Sequence, residues 1–566
     1  MLVTKMSASL GVFQTGVEAA LDEMARTRIV ARLWAKDHTL WKPEPTEIEN
    51  RLGWLTVAEQ MQERAGSLRA FAKSVRDAGF SHVVLLGMGG SSLGPEVLRC
   101  TFGSAPGFPR LWVLDSTVPG AVREVTKSVR PARTLFILAS KSGGTVEVMS
   151  LFSYFWDLVA RARGNTGGAQ FIAITDPGTS LASLAHARGF RTTFVNPSDI
   201  GGRYSVLSYF GLVPAALLGL DLETLVGRGV EMARACGPSV APPDNPGAYL
   251  GAVMGMLGRS GRDKVSLIAS PTVKAFGLWV EQLLAESTGK EGKGLIPIAE
   301  EPMASPASYG NDRLFVYLRL DGDANANGDR HVGALERAGQ PVLRLTLRDR
   351  YDLAAQFFCW EFATAVASHF LGIHPFDQPN VQESKENTSR ILKEVQARGR
   401  LARSQTDGDL ADLLAQAAPG KYLAVLAYMR PSAQADAALN ALRKAVLVRH
   451  HLATTAGYGP RYLHSTGQLH KGGPNTGLFL QLLEEMTPDL EIPGAPYTFG
   501  TLAASQAVGD HQSLQAHQRP VVHVRLGRSG LSTIRALARL SSRPGGARRR
   551  TNRDIKRGGR RLRRLR

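Results

Sequence analysis

The sequence predicts an α/β protein: two tandem domains built on doubly wound parallel sheets, a helical N-terminal cap before them, and a further α/β segment and a basic disordered tail after them. Three observations lead there. Short, continuous apolar runs recur every 20 to 35 residues, apolar positions at helical spacing fill the stretches between, and glycine-rich turns stand directly after several of the runs.

The cap is assigned to residues 1–80, where Val17, Ala20, Leu21, Met24, Ile29 and Leu33, and then Leu52, Leu55, Met61 and Leu68, follow a helical period. The first sheet domain, 81–245, takes strands at 82–88, 110–114, 134–139, 170–175 and 191–196. The second, 246–400, takes strands at 265–270, 314–318 and 341–347, with helices at 275–286 and 351–371. A third segment, 401–527, offers strands at 422–427 and 521–524 around a helix at 432–452. In such sheets ligands sit at the carboxyl ends of the strands, so the turns that follow the strands hold the interest.

Composition narrows the class. The chain has 566 residues, 43% of them hydrophobic, enough for several cores. Three cysteines, Cys100, Cys236 and Cys359, are widely spaced and suit a reducing cytosol better than a disulfide framework. The N-terminus shows no signal pattern, and the longest apolar run, 209–220, is too short for a bilayer and stops at Asp221. A soluble cytoplasmic protein is expected. The net charge of +19 is concentrated: residues 528–566 carry +14 of it, and the body is nearly balanced. That tail has too few apolar residues to pack and is expected to be disordered, with at most nonspecific contact to nucleic acid or other polyanions. Out-of-frame reading of GC-rich DNA would yield the same Arg, Gly and Pro composition.

Five turns or boxes carry chemistry. Ser140, Lys141, Ser142, Gly143, Gly144 and Thr145 follow a buried strand and open a helix, so hydroxyls, backbone N–H groups and a helix N-terminus converge on one anion. Gly87-Met-Gly-Gly-Ser-Ser-Leu-Gly is a second such turn, but its spacing departs from a dinucleotide fingerprint and suits a small sugar phosphate better. In Asp199-Ile-Gly-Gly-Arg-Tyr-Ser the two glycines bare Arg203 for contact with an anion or a developing oxyanion. Gln282 and Glu286, four apart on an apolar helix, share a face; a carboxylate there is partly desolvated, which suits a base, although an ordinary salt-bridged glutamate shows the same pattern. In Phe376-Asp-Gln-Pro-Asn-Val-Gln-Glu-Ser-Lys385, Pro379 ends one element and Lys385 lies on the next helix.

Taken in this order, over residues 30–390, the set resembles the glucose-6-phosphate isomerase family, and its third segment and variant boxes resemble the isomerase half of bifunctional transaldolase and glucose-6-phosphate isomerase proteins. The resemblance implies two sugar-isomerase domains, interconversion of glucose 6-phosphate and fructose 6-phosphate through a cis-enediolate, no cofactor or metal, and a homodimer. It implies roles as well. Glu286 matches the base and Arg203 the group that stabilises the enediolate. Gln282, Gln378, Gly90 and Ser91 would touch the sugar, Ser140 to Thr145 the phosphate, and Lys385 the ring oxygen. A transaldolase barrel needs about 250 residues and only about 80 precede the first sheet domain, so the chain is expected to be either a stand-alone isomerase or a fragment of such a fusion.

Two departures stand out. Asn380 and Gln382 occupy positions where the family has Gly and Glu. The family's ring-opening histidine is missing from the stretch after the glutamate box, where this chain reads Ser308-Tyr-Gly-Asn-Asp-Arg313. His464 or His470, in a glycine-rich stretch of the third segment, is the expected replacement. The rival reading is a sugar-phosphate-binding regulator that keeps the fold and has lost catalysis; a binder needs the phosphate turn but no base opposite it.

Overall fold

A computed structural model describes residues 5–398, 408–527 and 529–542. Its strands are β1 (Lys5–Ser9), β2 (His82–Gly87), β3 (Arg110–Leu114), β4 (Thr134–Ala139), β5 (Phe171–Thr175), β6 (Thr192–Val195), β7 (Lys264–Ala269), β8 (Ile296–Ile298), β9 (Arg313–Leu320), β10 (Val342–Leu347), β11 (Tyr422–Tyr428), β12 (Ala453–Tyr458), β13 (Gly477–Glu484) and β14 (Val521–Gly527). They form three sheets, ordered β3-β2-β4-β5-β6, β1-β10-β9-β7-β8 and β12-β11-β13-β14.

All pairings are parallel except that of β1 with β10. The central strands are apolar on both faces because helices cover both: β4, β5 and β11 are buried at every residue. In the first sheet Gly87 pairs with Ala139, so the two glycine-rich turns leave the sheet side by side from its middle. That register positions the site.

The segments pack through helices. Asp352–Leu371 is mostly apolar and buried along nearly its whole length, lying against Pro246–Arg259. No helix among the described residues is long and apolar enough to cross a membrane.

Several expectations need correcting. The first 80 residues are not all helical: β1 alternates exposed and half-buried residues and adds an antiparallel edge to the second sheet. β8, β12 and β13 were not predicted; β8 has three residues, and Ala453-Thr-Thr-Ala-Gly-Tyr458 lacks large apolar side chains. The tail predicted as disordered from residue 528 instead begins with a helix, Gly530–Ser541, which buries Ile534, Leu537 and Ala538 in the core of the third sheet. Residues 543–566, where most of the tail's charge falls, lie outside the described residues.

Candidate active site

The turn after β4 is braced by its neighbour. Ser140 and Thr145 share a hydrogen bond between hydroxyls at 2.9 Å, Asp176 N–H donates to the Lys141 carbonyl at 3.3 Å, and Ser180 Oγ donates to the Gly143 carbonyl at 3.2 Å. Gly143 has φ +72°, and a Cβ there would stand 2.8 Å from Thr179 Cβ, so only glycine fits. Lys141, Ser142 and Thr145 face the cleft; Ser140, Gly143 and Gly144 shape the turn behind it. Lys141 is ion-paired with Asp176 and donates to the Ser198 carbonyl at 3.1 Å. Burial pushes the Asp176 carboxyl up, against the pull of Lys141. The anion-holding capacity of the turn therefore rests first on its hydroxyls and on the start of the helix Val146–Arg163.

The second turn starts the helix Gly90–Phe102 and brings Gly90 and Ser91 to the same cleft. A Cβ on Gly90 would collide with the Gly202 carbonyl, so the absent side chain lets the turn before Arg203 close on it.

Arg203, 2% exposed, gathers the rest of the site. Its Nε donates to Ser287 Oγ at 2.8 Å; one terminal nitrogen donates to Glu286 Oε2 at 3.3 Å and to Gln378 Oε1 at 3.2 Å; the other reaches the carbonyls of Pro375 and Asp377 at 2.6 and 3.1 Å. It lies just behind the cleft wall. Gln282 and Glu286, one turn apart on Phe276–Thr288, are on that wall, with Gln282 Nε2 3.3 Å from Glu286 Oε1. Burial raises the Glu286 carboxyl above its ordinary 4.5, although Arg203 and Gln282 pull it down. Lys290 holds the Asp377 carbonyl and carboxylate at 2.9 and 2.6 Å, and burial beside Arg203 lowers its ammonium to about 7.

Gln378 stands at the mouth of the helix Pro379–Arg398, and Lys385 lies on it, exposed to the cleft. The departure at Asn380 has a structural use. Its N–H donates to Gln468 Oε1 at 2.9 Å and its Oδ1 accepts from Gln468 Nε2 at 2.7 Å, which docks the third segment beside the site. Gln382 only meets Glu386 on the exposed face of the helix.

The two candidate histidines part company. His464 follows β12, at the carboxyl end of the third sheet, and enters the cleft; its Nε2–H donates to Glu147 Oε1 at 2.8 Å, and its carbonyl accepts from Gln282 Nε2 at 2.9 Å. His470 is 2% exposed, packed on Phe479 and Tyr462, and held down at about 3 by burial and by Lys471. It does not line the cleft. Glu147, in the first turn of Val146–Arg163, escaped the sequence reading, although a carboxylate between Val146 and Val148 just after the phosphate-type turn was a usable signal. Burial alone would raise it; the His464 charge and hydrogen bond outweigh that and hold it below the usual carboxylate range. Asn50 and Arg51 of the cap also reach the cleft and were not foreseen.

The cleft has a volume of about 620 Å³. Its lining residues come from the cap and all three sheet segments. It brings together hydroxyls, two helix N-termini and a buried carboxylate paired with a guanidinium. An imidazole held by its own carboxylate joins them. Such a set can hold a phosphorylated polyol and move protons along it.

Residues 54–292 match the phosphoglucose isomerase family model. A glucose-6-phosphate isomerase of Rubrobacter xylanophilus is 29% identical over 420 residues, covering 66% of this chain and 94% of that protein. One from Symbiobacterium thermophilum is 29% identical over 392 residues, covering 60% and 86%. The crystal structure of a glucose-6-phosphate isomerase from Chlamydia trachomatis covers 70% of this chain and 90% of its own, with TM-score 0.59 and 19% identity, a likeness of fold.

Proposed function

We propose that this relative of the phosphoglucose isomerases, an enzyme by that kinship, interconverts glucose 6-phosphate and fructose 6-phosphate through a cis-enediolate with Glu286 as the base. The observation that carries the reading is the placement of Glu286: buried, paired with Arg203, and on the wall of the same cleft that the phosphate-type turn lines. A protein that only bound the sugar phosphate would have no use for a carboxylate desolvated at that point.

The substrate's phosphate rests on Ser142, Thr145 and the N–H groups at the start of Val146–Arg163, with Lys141 adding charge to the extent that Asp176 releases it. His464 and Lys385 open the ring: the O1 hydroxyl loses its proton, O5 gains one, the C1–O5 bond breaks and C1 becomes an aldehyde. Because His464 Nε2–H is spent on Glu147, Nδ1 is the nitrogen that takes or gives the proton. Glu286 then removes the C2 proton of the open aldose. The electron pair forms the C1–C2 double bond and the charge goes to O1, where the positive field of Arg203 favours it. Glu286 returns the proton to C1 while the O2 proton passes to O1, so that C2 becomes the carbonyl, C1 carries a hydroxyl, and the ketose results. Gln282 and Gln378 hold the hydroxyls along the way. Kinship also supports a cytoplasmic location and a homodimer, the second of which light scattering of the purified chain tests.

A coupled assay with fructose 6-phosphate tests this. The parent is expected to turn it over and Glu286→Gln to lose several orders of magnitude; a variant as active as the parent removes Glu286 as the base.

A further inference from the structure

Glu147 Oε1 accepts two hydrogen bonds in a place closed to water, from His464 Nε2 at 2.8 Å and from Gln506 Nε2 at 2.6 Å. Glu147 is 3% exposed and Gln506 2%. A carboxamide can offer either its oxygen or its nitrogen, and here the choice is set from behind: the buried Thr117 hydroxyl donates to Gln506 Oε1 at 2.8 Å. With its oxygen engaged, the amide must turn its NH₂ toward Glu147. The four residues come from distant parts of the chain. Thr117 follows β3, Glu147 opens the helix after the phosphate-type turn, Gln506 sits midway along Phe499–Ala516, and His464 follows β12.

We propose that Gln506, oriented by Thr117, is a positioning residue that locks the Glu147 carboxylate, and through it the His464 ring, in the geometry that opens the sugar ring. The inference rests on the ring-opening role of His464 proposed above. A buried carboxylate with one partner can rotate and offer either oxygen. A second donor on the same oxygen removes that freedom, and the donor is strong because the acceptor is charged. The imidazole then has one acceptor for its N–H, while the carbonyl of its own residue is held by Gln282, so neither end can drift. Gln506 itself does not line the cleft. Its influence should therefore fall on the step that needs His464, the opening of the cyclic substrate, and not on the binding of an already linear one.

Two measurements separate these steps: kcat/KM with glucose 6-phosphate, and the Kd of a linear phosphorylated hydroxamate that mimics the enediolate. Gln506→Leu is expected to lower kcat/KM by about tenfold to a hundredfold, the size of one hydrogen bond to a charged group, and to bind the linear mimic within about twofold of the parent. Gln506→Met, which keeps the length but brings no donor, should lose at least as much. Thr117→Val should lose about threefold to tenfold because the amide is freed to flip, and Thr117→Ser should restore the parental value. Parental turnover in Gln506→Leu or Gln506→Met overturns the proposal, and so does equal loss of mimic binding and turnover, or a Thr117→Ser variant as impaired as Thr117→Val. His464→Ala tells the two failures apart. If it opens the ring at the parental rate, the ring-opening reading falls and this inference with it; a crippled His464→Ala beside a parental Gln506→Leu removes this inference alone.

Discussion

Arg203 is where the stability and the chemistry of the cleft can be perturbed together. Its five hydrogen bonds, 2.6 to 3.3 Å long, tie Glu286 to Ser287, Gln378 and the turn at Pro375 and Asp377. Lysine keeps the charge but has three donors on one nitrogen, so Arg203→Lys forfeits at least two of the bonds, about 2 kcal/mol at roughly 1 kcal/mol each. Methionine fills similar space and leaves Glu286 without its cation, a loss of about 3–5 kcal/mol for a buried pair broken on one side. That second cost has a pH signature. Burial already raises Glu286 above 4.5, and Arg203 is the strongest influence opposing the rise, so Arg203→Met raises it further. Between pH 4.5 and the raised value the folded chain holds a proton that the unfolded chain lacks, so this group's contribution to stability falls as pH rises. The variant's deficit relative to the parent should accordingly grow as pH rises from 5 to 8, because the ionised form of Glu286 is the one that needs a partner. Urea unfolding at the two pH values, followed by fluorescence of Trp54, whose ring lies 5.3 Å from that of Tyr204, reads it. A deficit equal at both, or greater at pH 5, would refute the reasoning.

Three further outcomes are expected. Asp176→Asn releases Lys141 from its ion pair, and inorganic phosphate should then compete with substrate about threefold to tenfold more strongly, as an inhibition constant measures; no change would mean that Lys141 does not serve the phosphate. Gly90→Ala drives a methyl into the Gly202 carbonyl, and a melting-temperature shift corresponding to about 1–3 kcal/mol, with reduced kcat/KM, should result. Deleting 543–566, which hold 12 Lys and Arg and one acid, should leave activity unchanged and greatly weaken retention on an anionic resin. A deletion from 528 would also remove Gly530–Ser541 and so expose the core that this helix covers, with loss of stability expected.

What the sequence made legible was local. The strands of the first sheet could be read because both their faces are buried and their apolar runs are unbroken, as in Thr134–Ala139. Gln282 and Glu286 could be read because a helix places residues four apart on one face. What stayed hidden depends on pairings across the chain. β1 gains its structure only from β10, more than 300 residues away, and its own pattern is that of a polar edge. The choice between His464 and His470 turns on Glu147, 317 residues before His464, and no spacing rule joins them. Asn380 looked like a loss from a family motif until Gln468 stood opposite it. The Lys141–Asp176 pair also lay outside local reading: each residue ends a different strand, and their meeting follows from β4 and β5 being neighbours in register.

The central claim is that a proton leaves C2 and returns at C1 by way of Glu286. Glucose 6-phosphate deuterated at C2, converted in ordinary water and followed by NMR, tests it most directly. Transfer through a carboxylate lets part of the label escape to solvent, so the fructose 6-phosphate should carry less than one deuterium at C1, and Glu286→Gln should form almost no product. Complete retention of the label at C1, or a Glu286→Gln variant that exchanges and converts at the parental rate, would contradict it.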